Sequence, residues 1–94
     1  MTLTFSPAAS ADIGAIWDYT AETWGPDQAD RYIDTIRDTC LALAKGELAG
    51  RKVEVRAGYL KYPVGRHLVF FRQSAAGTQV IRVLHEMMDT DRHL

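Results

Sequence analysis

Residues 65–85 read GRHLVFFRQSAAGTQVIRVLH, and the fold turns on how this stretch is read. His67–Gln73 is aromatic and β-branched, and apolar on both parities over its middle, the pattern of a buried strand. Ser74-Ala75-Ala76-Gly77 supplies a hairpin loop, and Thr78–His85 returns antiparallel to the first strand. On simple alternation Arg72 shares its parity with Leu68 and Phe70, and Arg82 shares its own with Val80 and Leu84.

Working outward, Pro63-Val64-Gly65 reads as a turn and Tyr59–Pro63 as a further strand. Residues 46–58, GELAGRKVEVRAG, lack a helical stripe and contain three glycines, so they read as loop with a short extended piece at Val53–Val55. At the other end Leu3 and Phe5 alternate with Thr2 and Thr4, a short strand. Ser6-Pro7 then starts a helix, with Ser6 as N-cap and Pro7 in the first turn. Ile13, Ile16, Trp17, Thr20, Ala21 and Trp24 follow helical spacing over roughly residues 7–24. Gly25-Pro26 ends that helix and starts another, striped by Ala29, Tyr32, Ile33, Ile36, Cys40 and Leu43 and stopped at Gly46. So short a connection makes the pair an antiparallel hairpin. The order is β-α-α-β-β-β. The expected fold is an α+β domain spanning residues 1–94: an N-terminal strand, a helical hairpin and a three-stranded antiparallel sheet. The hairpin covers one sheet face, and the other is expected to be free for binding. Trp17, Trp24, Tyr32, Phe70 and Phe71 are expected in the core.

Composition is that of a globular chain, 47% hydrophobic and 24% charged. Nothing approaches the roughly 18 apolar residues of a membrane span. MTLTFSPAAS lacks a basic start followed by an apolar block, so no secretory signal is expected. The one cysteine, Cys40, excludes an internal disulfide and a Cys-rich zinc site. These features fit a cytoplasmic protein with no membrane partner. Charge is unevenly distributed: residues 1–50 carry a net −5 and residues 51–94 a net +4. Two readings follow. Either the second half faces an acidic or polyanionic partner, or the halves attract each other within the fold.

No phosphate-binding glycine loop is present. His67, His85 and His93 show no metal-ligand spacing, so neither metal nor cofactor is expected. Arg56, Lys61, Arg66, Arg72 and Arg82 spread over the loop and three strands, whose spacing of about 4.8 Å gathers such groups on one surface where register allows. Arg82 has two readings, a binding cation or a buried guanidinium in a fold-fixing ion pair. A metal-free ribonuclease needs a base, an acid and cations on the phosphate. His85 with Arg82 and Arg66 supplies such a set, with Glu54 or Glu86 as its acidic partner. The alternative for His85 is a strand-end histidine bonded to backbone.

Several pieces, taken in order, resemble the toxins of type II toxin–antitoxin modules, the ParE/RelE superfamily and its ParE branch in particular. They are Ala11-Asp12-Ile13 with Ile16 and Tyr19, Trp24-Gly25, and Ala29 with Tyr32. Then come Arg56-Ala57-Gly58-Tyr59, Gly65-Arg66-His67-Leu68-Val69-Phe70-Phe71-Arg72 and Ile81-Arg82-Val83-Leu84-His85. Met88-Asp89 and His93-Leu94 close the set. The resemblance implies the fold above and a cytoplasmic bacterial toxin held inactive by a ParD-like antitoxin, which alone contacts operator DNA. It implies poisoning of DNA gyrase for ParE relatives and ribosome-dependent mRNA cleavage for RelE relatives.

The chain departs from the nuclease pattern: no tyrosine follows Tyr62, Lys61 is the one lysine beyond Lys52, and His85-Glu86 stands where a His-Tyr pair is associated with the YoeB type. This favours a gyrase-binding poison with no catalytic residue of its own. Leu60-Lys61 departs from the arginine common in ParE relatives. The surface expected to meet target or antitoxin comprises Arg56, Lys61, Arg66, Arg72, Arg82, His85, Met87, Met88, His93 and Leu94. An acidic antitoxin stretch is expected to meet its basic part.

Overall fold

The computed structural model describes residues 2–88 and 90–94, without the side chains of Thr90 and Asp91. Asp89, part of the Met88-Asp89 piece, lies outside the described residues. The elements are β1 (Leu3–Phe5), α1 (Pro7–Trp24), α2 (Pro26–Lys45), β2 (Arg51–Lys52), β3 (Leu60–Val64), β4 (His67–Ser74), β5 (Gly77–His85) and α3 (Thr90–His93). The strands form a sheet in the order β1-β5-β4-β3-β2. β1 runs parallel to β5, and the remaining pairs are antiparallel.

Local chemistry sets the helix ends. The Ser6 hydroxyl accepts from the Ala9 N–H (3.0 Å) and Pro7 fills the first turn. One residue, Gly25, both ends α1 and starts α2, at a φ of 97° that side-chain-bearing residues rarely adopt. Gly46, in the left-handed conformation, closes α2 by donating to the carbonyls of Ala42 and Leu43.

The expected hairpin and strand order are present, with shifted bounds. The short extended piece is Arg51–Lys52 rather than Val53–Val55, because residues 53–59 fold back through Val53 N–H to Tyr59 O (3.0 Å). β3 starts at Leu60 and runs through Val64, so the turn is Gly65-Arg66 alone, and Ala75-Ala76 suffices for the next hairpin. Trp24 is not in the core. It is 72% exposed and lines an open hollow at the hairpin corner with Gly25, Pro26, Asp27, Gln28 and Arg31.

The main core lies between the helical hairpin and one sheet face. Ile13 and Ile16 of α1 and Ile33, Ile36, Cys40 and Leu43 of α2 pack with Val64, Val69, Phe71, Val80 and Val83. Burial pushes the Cys40 thiol up to about 11, which keeps it protonated and unreactive. The opposite face is not bare, contrary to the expectation of a free surface. Phe70, Leu84 and Val53 are buried there, with Tyr59, Leu68 and Leu94 packed against them. Side chains alternate across a strand, so Phe70 and Phe71 belong to different cores, which is why β4 is apolar on both parities.

One irregularity changes which residues share a face. Phe70 pairs with Arg82 but Phe71 pairs with Val80, so Ile81 is an extra residue in β5. This bulge reverses the alternation. Val80 faces the helices while Arg82 joins Leu84 on the outer face, so Arg82 does not share the side of Val80.

Candidate functional site

β1 ends at Phe5, and from there the edge of β5 is completed by the backbone of Ser6 and by the Ser6 and Asp12 side chains. The Ser6 N–H donates to Val80 O (2.9 Å) and its hydroxyl to Ile81 O (2.6 Å). The Asp12 carboxylate then takes the next ladder position, accepting from the Val83 N–H (3.0 Å). The same carboxylate binds Arg82 through two hydrogen bonds, Nε to Oδ2 at 2.7 Å and Nη2 to Oδ1 at 2.9 Å. Arg82 Nη1 donates to His93 O at 3.0 Å, so the guanidinium links α1, β5 and α3. The hydrogen-bonded Asp12 holds the guanidinium above its ordinary pKa, against the opposing effect of burial. Of the two readings of Arg82, this geometry is the ion pair.

A second cluster ties α2 to the strand ends. Tyr32 Oη lies 2.6 Å from His67 Nδ1 and 3.2 Å from Val64 O, and it accepts from the Arg66 N–H at 3.2 Å. Gly65 sits so close to the Tyr32 ring that an added Cβ would fall 2.7 Å from the hydroxyl, and its φ of 54° is left-handed. His67 pairs in register with His85, their rings edge to face at 5.4 Å. His85 Nδ1 accepts from the Met87 N–H at 3.1 Å, the strand-end arrangement. Burial first, then the adjacent His85, pushes the His67 imidazole below 6.5, while Glu86 and Asp12 pull the other way. Burial likewise raises Tyr32. Arg66, at the β3–β4 turn, has a side chain 80% exposed and 3.8 Å from Glu86, a loose surface pair.

The geometry therefore does not gather His85, Arg82 and Arg66 around one point. His85 shares the helix-facing side of β5 with Val83, Arg82 is bound to Asp12 on the other, and Arg66 projects from a turn. It does gather Arg56, Lys61 and Arg72 on the outer face. The Arg56 and Arg72 guanidinia lie 5.6 and 5.5 Å from the centre of the Tyr59 ring. Lys61 pairs with Phe70 on one side and Arg51 on the other. In the C-terminal segment Met87 is 83% and Met88 47% exposed, His93 gives its carbonyl to Arg82, and Leu94 packs on the outer cluster. Among the described residues no three His, Cys, Asp or Glu side chains converge as a metal site.

Sequence reasoning passed over Asp12, Tyr32 and His67 as site residues. The pairing of His67 with His85 depends on the two-residue turn at Ala75-Ala76 and on the bulge at Ile81, neither of which the sequence marks. Asp12 carried no signal, being 70 positions from its partner.

Comparison with known proteins places these features in a family. The family described as "ParE toxin of type II toxin-antitoxin system, parDE" matches residues 3–90. Toxin ParE1 of Mycobacterium tuberculosis H37Rv is 43% identical over 91 residues, covering 95% of this chain and 93% of the relative. Toxin ParE1 of Caulobacter vibrioides is 37% identical over 90 residues, with the same coverage. A solved structure described as the chromosomal ParDE TA system from P. aeruginosa superposes with a TM-score of 0.80 at 25% identity, over 90% of this chain and 95% of the other. No helix among the described residues is long and apolar enough to cross a membrane. The chain belongs to the ParE toxin family of type II toxin–antitoxin systems.

Proposed function

We propose that this ParE-family chain acts in the cytoplasm by binding and poisoning DNA gyrase, and that a ParD-like antitoxin holds it in check and supplies the contact to operator DNA. The observation that carries the choice of a binding poison over a ribonuclease is the fate of Arg82. Its guanidinium is committed to Asp12 and the His93 carbonyl, while His85 lies on the opposite side of the same strand. A phosphate cannot be approached by both without breaking an ion pair that holds α1 to the sheet. Met87 and Met88 follow the last strand and are exposed, the kind of apolar anchor that fits a partner's pocket.

The test assays gyrase supercoiling and ribosome-stimulated RNA cleavage with one preparation. Inhibited supercoiling with intact RNA is the expected result. Supercoiling that persists at saturating toxin while transcripts are cut within reading frames would replace this reading with the RelE-type one. A His85→Ala variant that keeps full toxicity would exclude His85 as an essential catalytic residue.

A further inference from the structure

Cys40, Met87 and Met88 carry the sulfur among the described residues, and the fold treats the thiol and the thioethers in opposite ways. Cys40 is fully buried between the helical hairpin and the sheet, and burial pushes its thiol up to about 11. An enclosed, protonated thiol is a poor target for an oxidant. Met87 and Met88 are instead 83% and 47% exposed, and neither belongs to the inner or the outer core cluster. Local bonds place them there. The Met87 N–H donates to His85 Nδ1 at 3.1 Å and the Met88 N–H to His85 O at 2.9 Å, so the chain turns directly after β5. These bonds hold the backbone and leave the thioethers to solvent. A thioether is nucleophilic in its neutral form, so access rather than ionisation decides which sulfur reacts.

From this contrast we propose that Met87 and Met88 form an oxidation site at which hydrogen peroxide disables the surface that grips the target. The proposal rests on the reading of these methionines as apolar anchors, and it says how that surface is regulated. In the step, a lone pair of the Met87 thioether sulfur attacks one oxygen of hydrogen peroxide. An S–O bond forms as the O–O bond breaks, and the departing hydroxide removes the proton from the transferred oxygen and leaves as water. The sulfur is oxidised by two electrons to the sulfoxide, and the peroxide is reduced to water. The sulfoxide is polar, so an anchor that carries it brings an unpaired oxygen into an apolar pocket. Neither side chain packs in a core, so grip is lost while the fold is kept. Methionine sulfoxide reductase reverses the step, with a dithiol as reductant that leaves as a disulfide while the oxygen leaves as water.

The test treats the full chain with hydrogen peroxide and reads mass, fold and potency. Peptide mapping is expected to place one added oxygen on Met87 and one on Met88, Met87 reacting first, with Cys40 unmodified. Thermal unfolding by circular dichroism should be unchanged. The concentration that half-inhibits gyrase supercoiling should rise about tenfold or more, as for the loss of a central anchor, and return after treatment with the reductase and a dithiol. For Met87→Leu with Met88→Leu, peroxide should leave that concentration where it stood before treatment. Inhibition unchanged after both methionines are oxidised, a loss that the reductase does not reverse, or an equal rise in the leucine variant would overturn the proposal. An untreated chain that does not inhibit supercoiling sinks the gyrase target alone, and the comparison then passes to growth arrest on unopposed expression. There Met87→Gln with Met88→Gln, whose amide oxygens stand in for the sulfoxide, should need severalfold more protein to arrest growth than the leucine variant. Equal arrest by the two at equal protein level would overturn the proposal whatever the target.

Discussion

The two faces of the sheet are built from adjacent residues but differ in kind. Phe70 and Phe71 are neighbours in β4, and both are almost fully buried. Phe71 enters a cluster of twelve buried residues drawn from both helices and three long strands, whereas Phe70 enters one of three, roofed by a turn and by Leu94. The inner face therefore holds the fold together. The outer face is covered by a turn and a short C-terminal helix, which bury fewer apolar residues than the two long helices do, so local opening is expected there first.

The largest test of this difference is truncation. Phe71→Ala should cost about 4 kcal/mol of unfolding free energy, because rigid helices cannot collapse into the space left. Phe70→Ala should cost less, about 3 kcal/mol, because the 53–59 turn and Leu94 can settle inward. Urea unfolding of the two variants measures both. Equal costs would mean that the faces form one continuous core.

Next in size is the ion pair at the sheet edge. Asp12→Ala strands the Arg82 guanidinium, whose side chain is 25% exposed, and leaves the Val83 N–H without its acceptor. A loss of about 2–3 kcal/mol is expected, below the figure for a fully buried pair because water reaches part of this one. Adding Arg82→Met should recover part of the loss, since the unpaired charge goes too. A double variant as unstable as the simple sum would show that the pair is not coupled.

The His67 cluster predicts a smaller, pH-dependent term. Burial and His85 depress the folded-state pKa of His67 below 6.5, its ordinary value. Between those two values the unfolded chain binds a proton that the folded chain refuses. Stability therefore falls as pH drops below about 6.5, by at most about 1.4 kcal/mol per pH unit, and levels off once the folded imidazole also protonates. His67→Phe should flatten that part of the profile relative to wild type when unfolding is measured from pH 8 to 5. An unchanged slope would assign the effect to other groups.

How much of this was legible depended on the range of the interaction. The helices, their caps and the single-residue junction at Gly25 follow from contacts within a few residues, which periodicity and capping chemistry report directly. The outer cover was half legible: apolar residues on both parities of His67–Gln73 require both faces to be covered, which conflicts with a free binding face. The bulge at Ile81 carries no residue signature, so the side on which Arg82 lies could not be counted from the hairpin. Asp12 reads as an ordinary solvent-facing helix residue until β1 is seen to stop two residues before Pro7 and leave β5 an open edge.

The smallest stability effect expected is also the most discriminating. α3 has four residues, too few to be stable alone, so its place depends on Leu94 against the outer cluster and on Arg82 Nη1 to the His93 carbonyl. Leu94 is only half-buried, so Leu94→Ala should lower unfolding free energy by about 1 kcal/mol or less. The same change should free the chain end and speed its trimming by carboxypeptidase severalfold, because digestion reads local opening while urea reads the whole fold. A urea midpoint that moved as far as in Phe71→Ala would make the C-terminal segment part of the main core. A small midpoint shift with fast trimming would show that the outer face opens while the inner face stays closed.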